Sequence, residues 1–269
     1  MNLEPRPAIS TNQAAEFQSP FFSYSAPPNA WEYAPPLPAP NCFLGAAGDA
    51  GGRVHIAGGG DSMYVGAKVY TACWHLGPHS TSWSAGPALL RPRCGLALAR
   101  GGGGGDRLYA LGGYGGGQIY HATVEVWDMG HGANEGRGWS AAAAAAPMAG
   151  GPRTGLGAGW GPDGALYAVG GSPDGLRGLK TAEKYDPREG KWHMISQLHE
   201  ERGYCAAVFG FSGQLYAMGG THMDTVSRSV EVYDPRNDTW SIADDLGNCL
   251  TDFSAVAFLN HHHAAAVVL

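Results

Sequence analysis

The stretch QLYAMGG, Gln214 to Gly220, occurs three times in this chain with small changes: ALYAVGG ends at Gly171 and RLYALGG at Gly113. Each copy is a short apolar run closed by two glycines. With a further pair at Gly58–Gly59, the pairs Gly112–Gly113, Gly170–Gly171 and Gly219–Gly220 lie 54, 58 and 49 residues apart. Trp31, Trp83, Trp139, Trp192 and Trp240 follow at intervals of 52, 56, 53 and 48, each of the first four standing 27 to 31 residues before a glycine pair. Two independent marks holding one phase identify an internal repeat.

Two more marks share the phase. VEVWD (Val124–Asp128), AEKYD (Ala182–Asp186) and VEVYD (Val230–Asp234) place Glu, an aromatic residue and Asp in one order, and the last two continue as YDPREGKW and YDPRNDTW. Asp-Pro opens a turn there, proline fixing its φ, and a strand resumes at Trp. Arg93, Arg153 and Arg202 each stand shortly before a small apolar run such as CAAVFGF. Each unit therefore reads as four short strands bounded by Gly, Pro, Asn or Asp. The glycine pair ends the second strand where the backbone needs positive φ or a close neighbour. One such sheet cannot bury both its faces, so several stack around an axis.

Composition agrees. The 269 residues include 43 glycines and 18 prolines, with 44% apolar and only 15% charged side chains, which suits a turn-rich fold and disfavours long helices. A net charge of −6 without a basic cluster argues against nucleic acid as a partner. No apolar run is long enough to span a membrane, and MNLEPRPAIS does not begin as a secretory signal does. The five cysteines, Cys42, Cys73, Cys94, Cys205 and Cys249, show no CxxC spacing, which fits a reduced compartment, the cytoplasm or alternatively the nucleus.

The order strand–GG, variable loop, Glu-x-Tyr/Trp-Asp, Trp resembles the kelch repeat, whose units form the blades of a β-propeller. The resemblance covers about residues 31–269 and is strongest from Leu108 to Phe258. It implies an all-β, kelch-type propeller of four-stranded antiparallel blades, with four recognisable repeats, a partial terminal blade, and residues 1–30 as a flexible Pro/Ser/Ala-rich segment. The first unit, GAKVYTACWHLGPHSTSW, lacks the Glu-x-Tyr-Asp phrase and is degenerate. After Trp240 the next glycine pair would fall near residues 267–271, at the limit of the sequence. Two arrangements stay open. Residues 17–33 supply outer strands to the last unit and make five blades, or the chain is truncated and lacks one or more blades. The second is favoured, because an uncovered terminal strand invites aggregation. Gly101–Gly105, Ala141–Ala146 and His261–His263 read as loop filler.

Enzyme signatures are missing from the sequence. GFSGQ around Ser212 is not GxSxG, Gly190–Lys191 is followed by Trp192 rather than Ser or Thr, and the histidines form no helical i, i+4 pair around a Glu. Copper radical oxidases and iron-dependent specifier proteins of similar fold define the enzymatic rival, but neither ligand constellation can be picked out. Neither a cofactor nor a metal is expected. Glu125, Glu183 and Glu231 recur once per unit and read as architectural, as do the paired glycines with Trp83, Trp139, Trp192 and Trp240.

The resemblance implies that a partner is gripped by the loops leading into the innermost strand and those following the double glycine. By position these give Arg93, Arg153 and Arg202, and Tyr114, Ser172, Asp174, Thr221 and His222. Three arginines around one mouth would suit an acidic peptide. The alternative is that each arginine pairs with the repeat Glu. The expected function is a protein-interaction module serving as substrate receptor for a cullin-type ubiquitin ligase, which it would join through another domain or chain. A BTB or F-box segment is not recognisable here, and a free-standing scaffold, for instance on actin, is equally compatible.

Overall fold

A computed structural model describes residues 21–25, 30–39, 41–49, 51–62, 66–101, 106–129, 138–141, 146–251, 255–260 and 263–268. The chain divides into two units between Pro40 and Asn41, later than the start at residue 31 read from the sequence. In the first unit β1 (Phe21–Ser25) pairs antiparallel with β2 (Ala30–Ala34). The rest of the 1–30 segment lies outside the described residues, as do residues 17–20 and most of the Gly, Ala and His runs.

The second unit contains four antiparallel four-stranded sheets, each built from strands consecutive in sequence. Blade 1 is β3 (Gly45–Gly48), β4 (Val54–Ala57), β5 (Cys73–Leu76) and β6 (Ser84–Ala85). Blade 2 is β7 (Ala97–Arg100), β8 (Arg107–Leu111), β11 (Val124–Asp128) and β12 (Ser140–Ala141), with the small hairpin β9 (Tyr114–Gly116) and β10 (Ile119–Tyr120) inserted after β8. Blade 3 is β13 (Gly157–Trp160), β14 (Leu166–Val169), β15 (Ala182–Asp186) and β16 (Lys191–Ile195). Blade 4 is β17 (Ala206–Phe209), β18 (Leu215–Met218), β21 (Val230–Asp234) and β22 (Thr239–Ala243), with the hairpin β19 (Thr221–His222) and β20 (Thr225–Val226) inserted after β18. The innermost strands neighbour one another in the order β3, β7, β13, β17, followed by β23 (Ala255–Asn260), which forms a hairpin with β24 (His263–Val268). This is the four-bladed part of a β-propeller, with a hairpin where the partial terminal unit was expected.

Blades pack face to face. Val169, Tyr167 and Ala182 of blade 3 are buried with Leu215, Tyr233 and Trp240 of blade 4, and an equivalent cluster joins blades 2 and 3. The repeat tryptophans fix the spacing. Trp139, Trp192 and Trp240 donate their indole N–H to the carbonyls of Pro87, Ala146 and Ser196, each on the connection from the preceding blade. Each also packs on the aromatic residue of its own Glu-x-aromatic-Asp phrase, with ring centroids 6.0, 5.4 and 5.1 Å apart. Trp83, in the degenerate first unit, is half-buried.

The double glycines answer two needs at once. Gly58, Gly112, Gly170 and Gly219 have φ of 66°, 63°, 60° and 54°. A Cβ on Gly58, Gly112 or Gly170 would overlap the carbonyl oxygen of Arg93, Arg153 or Arg202 of the following blade. The second glycine of each pair donates its N–H to that same carbonyl, from Gly59, Gly113 and Gly171 at 2.7–2.8 Å. Gly220 donates in the same way to Leu250, 2.8 Å away, so Leu250 occupies the position that arginine holds in the earlier units.

Gly112→Ala therefore suffers both left-handed strain and a backbone collision, whereas Gly117→Ala, at φ 55° with open space beside it, suffers only the strain. Denaturant unfolding should show Gly117→Ala costing about 1 kcal/mol and Gly112→Ala about 1–3 kcal/mol more. Equal costs would show that the carbonyl contact is not a constraint.

Candidate functional site

The strand order places the connections after the second strand of a blade, and those from one blade to the next, at the same end of the sheets. That face carries every residue the sequence offered for partner binding.

Arg93, Arg153 and Arg202 are 0% exposed. Each guanidinium turns back into its own blade and pairs with the repeat glutamate: Arg93–Glu125 at 3.0 Å, Arg153–Glu183 at 2.8 Å and Arg202–Glu231 at 3.0 Å. Nη1 donates to the carbonyl of the first glycine of the pair, at 2.6 Å to Gly112, 3.0 Å to Gly170 and 2.8 Å to Gly219. The glutamate's other oxygen accepts backbone N–H groups from the incoming connection, from Leu90, Ala149 and His199 at 2.6–2.7 Å. Burial draws the Arg93 and Arg153 guanidinium pKa values down, and the facing glutamates oppose this; arginine nonetheless stays charged. The expectation that these arginines grip an acidic peptide is thereby corrected. Their guanidinium groups are buried inside the blade, and the pairing weighed as the alternative is the one present.

Blade 1 departs from this pattern at both partners. Cys42 bridges Gly60 as Cys94 bridges Tyr114, which puts Asn41 at the arginine position, and Asn41 Nδ2 donates to the Gly58 carbonyl at 2.8 Å. Trp74 pairs with Ile56 where Glu125 pairs with Ala110, so tryptophan replaces the glutamate. Cation and anion are missing together, as expected if either alone would leave an uncompensated buried charge.

The residues directly after each double glycine are also held inward. Tyr114, Ser172 and Thr221 bridge Cys94, Thr154 and Gly203, and the first two are buried while Thr221 is half-buried. Asp174 is half-buried and accepts N–H bonds from Leu176 and Arg177 and an ion pair from Arg177 at 2.6 Å. The Arg177 backbone and side chain hold the Asp174 carboxyl well below the usual range, against the opposing effect of its partial burial. His222 is half-buried in β19.

The loop tips expose several large apolar side chains. Leu90, Ile119, Leu176, Met223 and Val226 are 53%, 57%, 64%, 53% and 38% exposed. Adjacent tips touch: the Met223 N–H donates to the Leu176 carbonyl at 2.9 Å, and Tyr204 Oη donates to the Gly175 carbonyl at 3.3 Å. Sequence reasoning missed these residues. Their only signal was an isolated apolar side chain in a Gly- or Asp-containing loop, as in GGQI, DGL and HMDTV. Beneath them a cavity of about 480 Å³ opens between the innermost strands, with Phe43, Leu96, Leu156 and Tyr204 in its wall. Among the described residues no three His, Cys, Asp or Glu side chains converge to hold a metal, and no helix is long and apolar enough to cross a membrane.

His121 ties this face to the buried pairs. It is 6% exposed, and its Nε2–H donates to the Pro92 carbonyl at 3.1 Å. Burial pushes its pKa below the ordinary histidine range, and the Arg93 guanidinium pushes the same way.

Two measurements follow from these contacts. Arg153→Ala or Glu183→Ala alone should cost about 3–5 kcal/mol in chemical denaturation, with the double variant well below the sum of the two. In addition, the folded state holds His121 neutral while the unfolded chain protonates near pH 6.5. Its contribution is therefore complete above that pH and declines as the pH falls toward the depressed folded value. His121→Gln should flatten the dependence of Tm on pH between about 7 and 5.

A kelch motif model matches residues 162–199 and 202–247, which span β14 to β16 of blade 3 and all four strands of blade 4. Mouse kelch-like protein 35 is 45% identical over 80 residues, covering 29% of this chain and 14% of that protein. Human kelch repeat and BTB domain-containing protein 13 is 42% identical over 86 residues, covering 30% and 18%. The Caenorhabditis elegans kelch repeat-containing protein kel-10 is 27% identical over 162 residues, covering 58% and 26%. The matched segments thus span from about a seventh to about a quarter of these relatives' lengths. Among solved structures, one described as "Structure of YjhT" superposes with a TM-score of 0.67 over 84% of this chain and 75% of that one, at 15% identity, a likeness of fold. Repeat and blade order agree with these matches: blades 3 and 4 carry kelch motifs, and over part of its length the chain is distantly homologous to kelch-like proteins.

Proposed function

We propose that this chain recognises another protein through the face that carries its apolar loop tips, and that it serves as the substrate-receptor part of a cullin-type ubiquitin ligase. It is read as a binding protein rather than an enzyme, acting in the cytoplasm or nucleus. One observation carries the recognition role. Ile119, Leu176, Met223 and Val226 come from three successive blades, stand in corresponding loops, and are exposed on one face. Neighbouring apolar groups held open to water by a rigid frame favour a partner that covers them. The kelch motifs of blades 3 and 4, a repeat whose propellers typically bind proteins, agree with this. The ligase role is the finer part, and its support is the BTB domain in the name of one relative.

The test is affinity capture from cell extract, with Ile119→Asp/Leu176→Asp/Met223→Asp compared against Phe211→Asp. Phe211 is 51% exposed on the turn between β17 and β18, at the opposite end of blade 4. Partners lost with the triple variant and kept with Phe211→Asp are the expected result, and cullin components among them would establish the ligase role. Identical partner lists for wild type and triple variant would overturn the assignment of this face.

A further inference from the structure

Resting on that reading of the face, we propose that its blade 3–4 corner takes a protein segment carrying apolar side chains flanked by lysine or arginine, the reverse of the acidic peptide suggested by the three arginines. Four loops meet at this corner. The β19–β20 hairpin presents Met223 and Val226, and its Met223 N–H bonds the Leu176 carbonyl of the blade 3 loop. The connection at residues 199–202 joins them through Glu200, whose Oε2 accepts from Ser227 and Ser229 at 3.0 and 2.6 Å. The connection leaving β22 joins through Asp245, paired with Arg228 at 3.0 Å, and through the Leu246 N–H on the Arg228 carbonyl.

The charges at this corner are unbalanced. Arg177 is paired with Asp174, Arg202 with Glu231, and Arg228 with Asp245. His199 lies 2.8 Å from Glu231. Glu201, Asp224 and Asp244 are exposed and have no hydrogen-bond or ion-pair partner among the described residues. Lys180, half-buried, is the unpaired cation among these loops. Three free carboxylates thus border the apolar tips against one recessed ammonium. A carboxylate on a rim draws a cationic partner and sets its orientation, while the apolar side chains at the centre supply the desolvated contact.

Two labelled 15-residue peptides test this by fluorescence anisotropy, one of leucine and lysine and one with every lysine replaced by glutamate. Each is titrated with the full chain, with Glu201→Gln/Asp224→Asn/Asp244→Asn, and with a variant neutralising three acids at the opposite end of the sheets, Asp106→Asn/Glu189→Gln/Asp234→Asn. The lysine peptide should bind wild type in preference to the glutamate peptide. Its affinity should fall about tenfold in the first triple variant, change little in the second, and weaken with salt. Equal losses in both triple variants would mean attraction to net charge alone and would overturn the proposal. So would preference for the glutamate peptide, or no binding of either. The extract capture reads separately whether the face binds protein at all. Partners lost there with the apolar triple variant, while the lysine peptide fails here, would leave the recognition role standing and remove the basic partner.

Discussion

A buried arginine pair, repeated blade after blade, is the interaction on which the rest of the unit depends. In each of three blades the guanidinium bonds a glutamate and the carbonyl of a glycine within its own sheet. The carbonyl of the same arginine accepts the N–H of the second glycine in the preceding blade. One residue therefore closes its own blade with its side chain and attaches that blade to its neighbour with its backbone. Neither the glycines nor the glutamate can be exchanged freely, because the first glycine makes room for the carbonyl and the glutamate neutralises a charge that has no access to water. Charges this deeply placed need a partner and satisfied hydrogen bonds to be tolerated, and the glutamate's second oxygen meets that demand from the incoming connection.

The latch also decides what the face can offer. It fixes the bases of the loops, leaving Tyr114 and Ser172 buried at their roots, and only side chains further out remain free to vary. Leu176, Met223 and Val226 stand there, with Glu201, Asp224 and Asp244 around them. A frame specified by repeated contacts thus supports a surface specified by none of them.

The same division explains what was legible in the sequence. Blade number in the described part, strand order and the inter-blade role of the tryptophans were readable because each depends on a residue that must recur: glycine where a Cβ would strike a carbonyl, Trp where an indole reaches the previous connection. The Arg–Glu pairing was legible as one of two alternatives. Sequence alone could not choose between them, since an arginine at a strand mouth looks the same whether it points outward or back. Blade 1 shows the limit of periodicity. Its Asn41 and Trp74 keep the positions but not the chemistry, and only strand register identifies them. The apolar tips were invisible for the opposite reason: they differ from blade to blade, and single apolar residues in loops are ordinary.

The most direct measurement of the central claim is amide hydrogen exchange at the double glycines. If the inter-blade bonds hold the unit together, the amides of Gly59, Gly113 and Gly171 open only with global unfolding. They should then be among the slowest in the chain, while residues 173–178 and 222–226 exchange far faster. Rapid exchange at the three glycines under native conditions would contradict the account, since it would show blades that separate without the latch mattering.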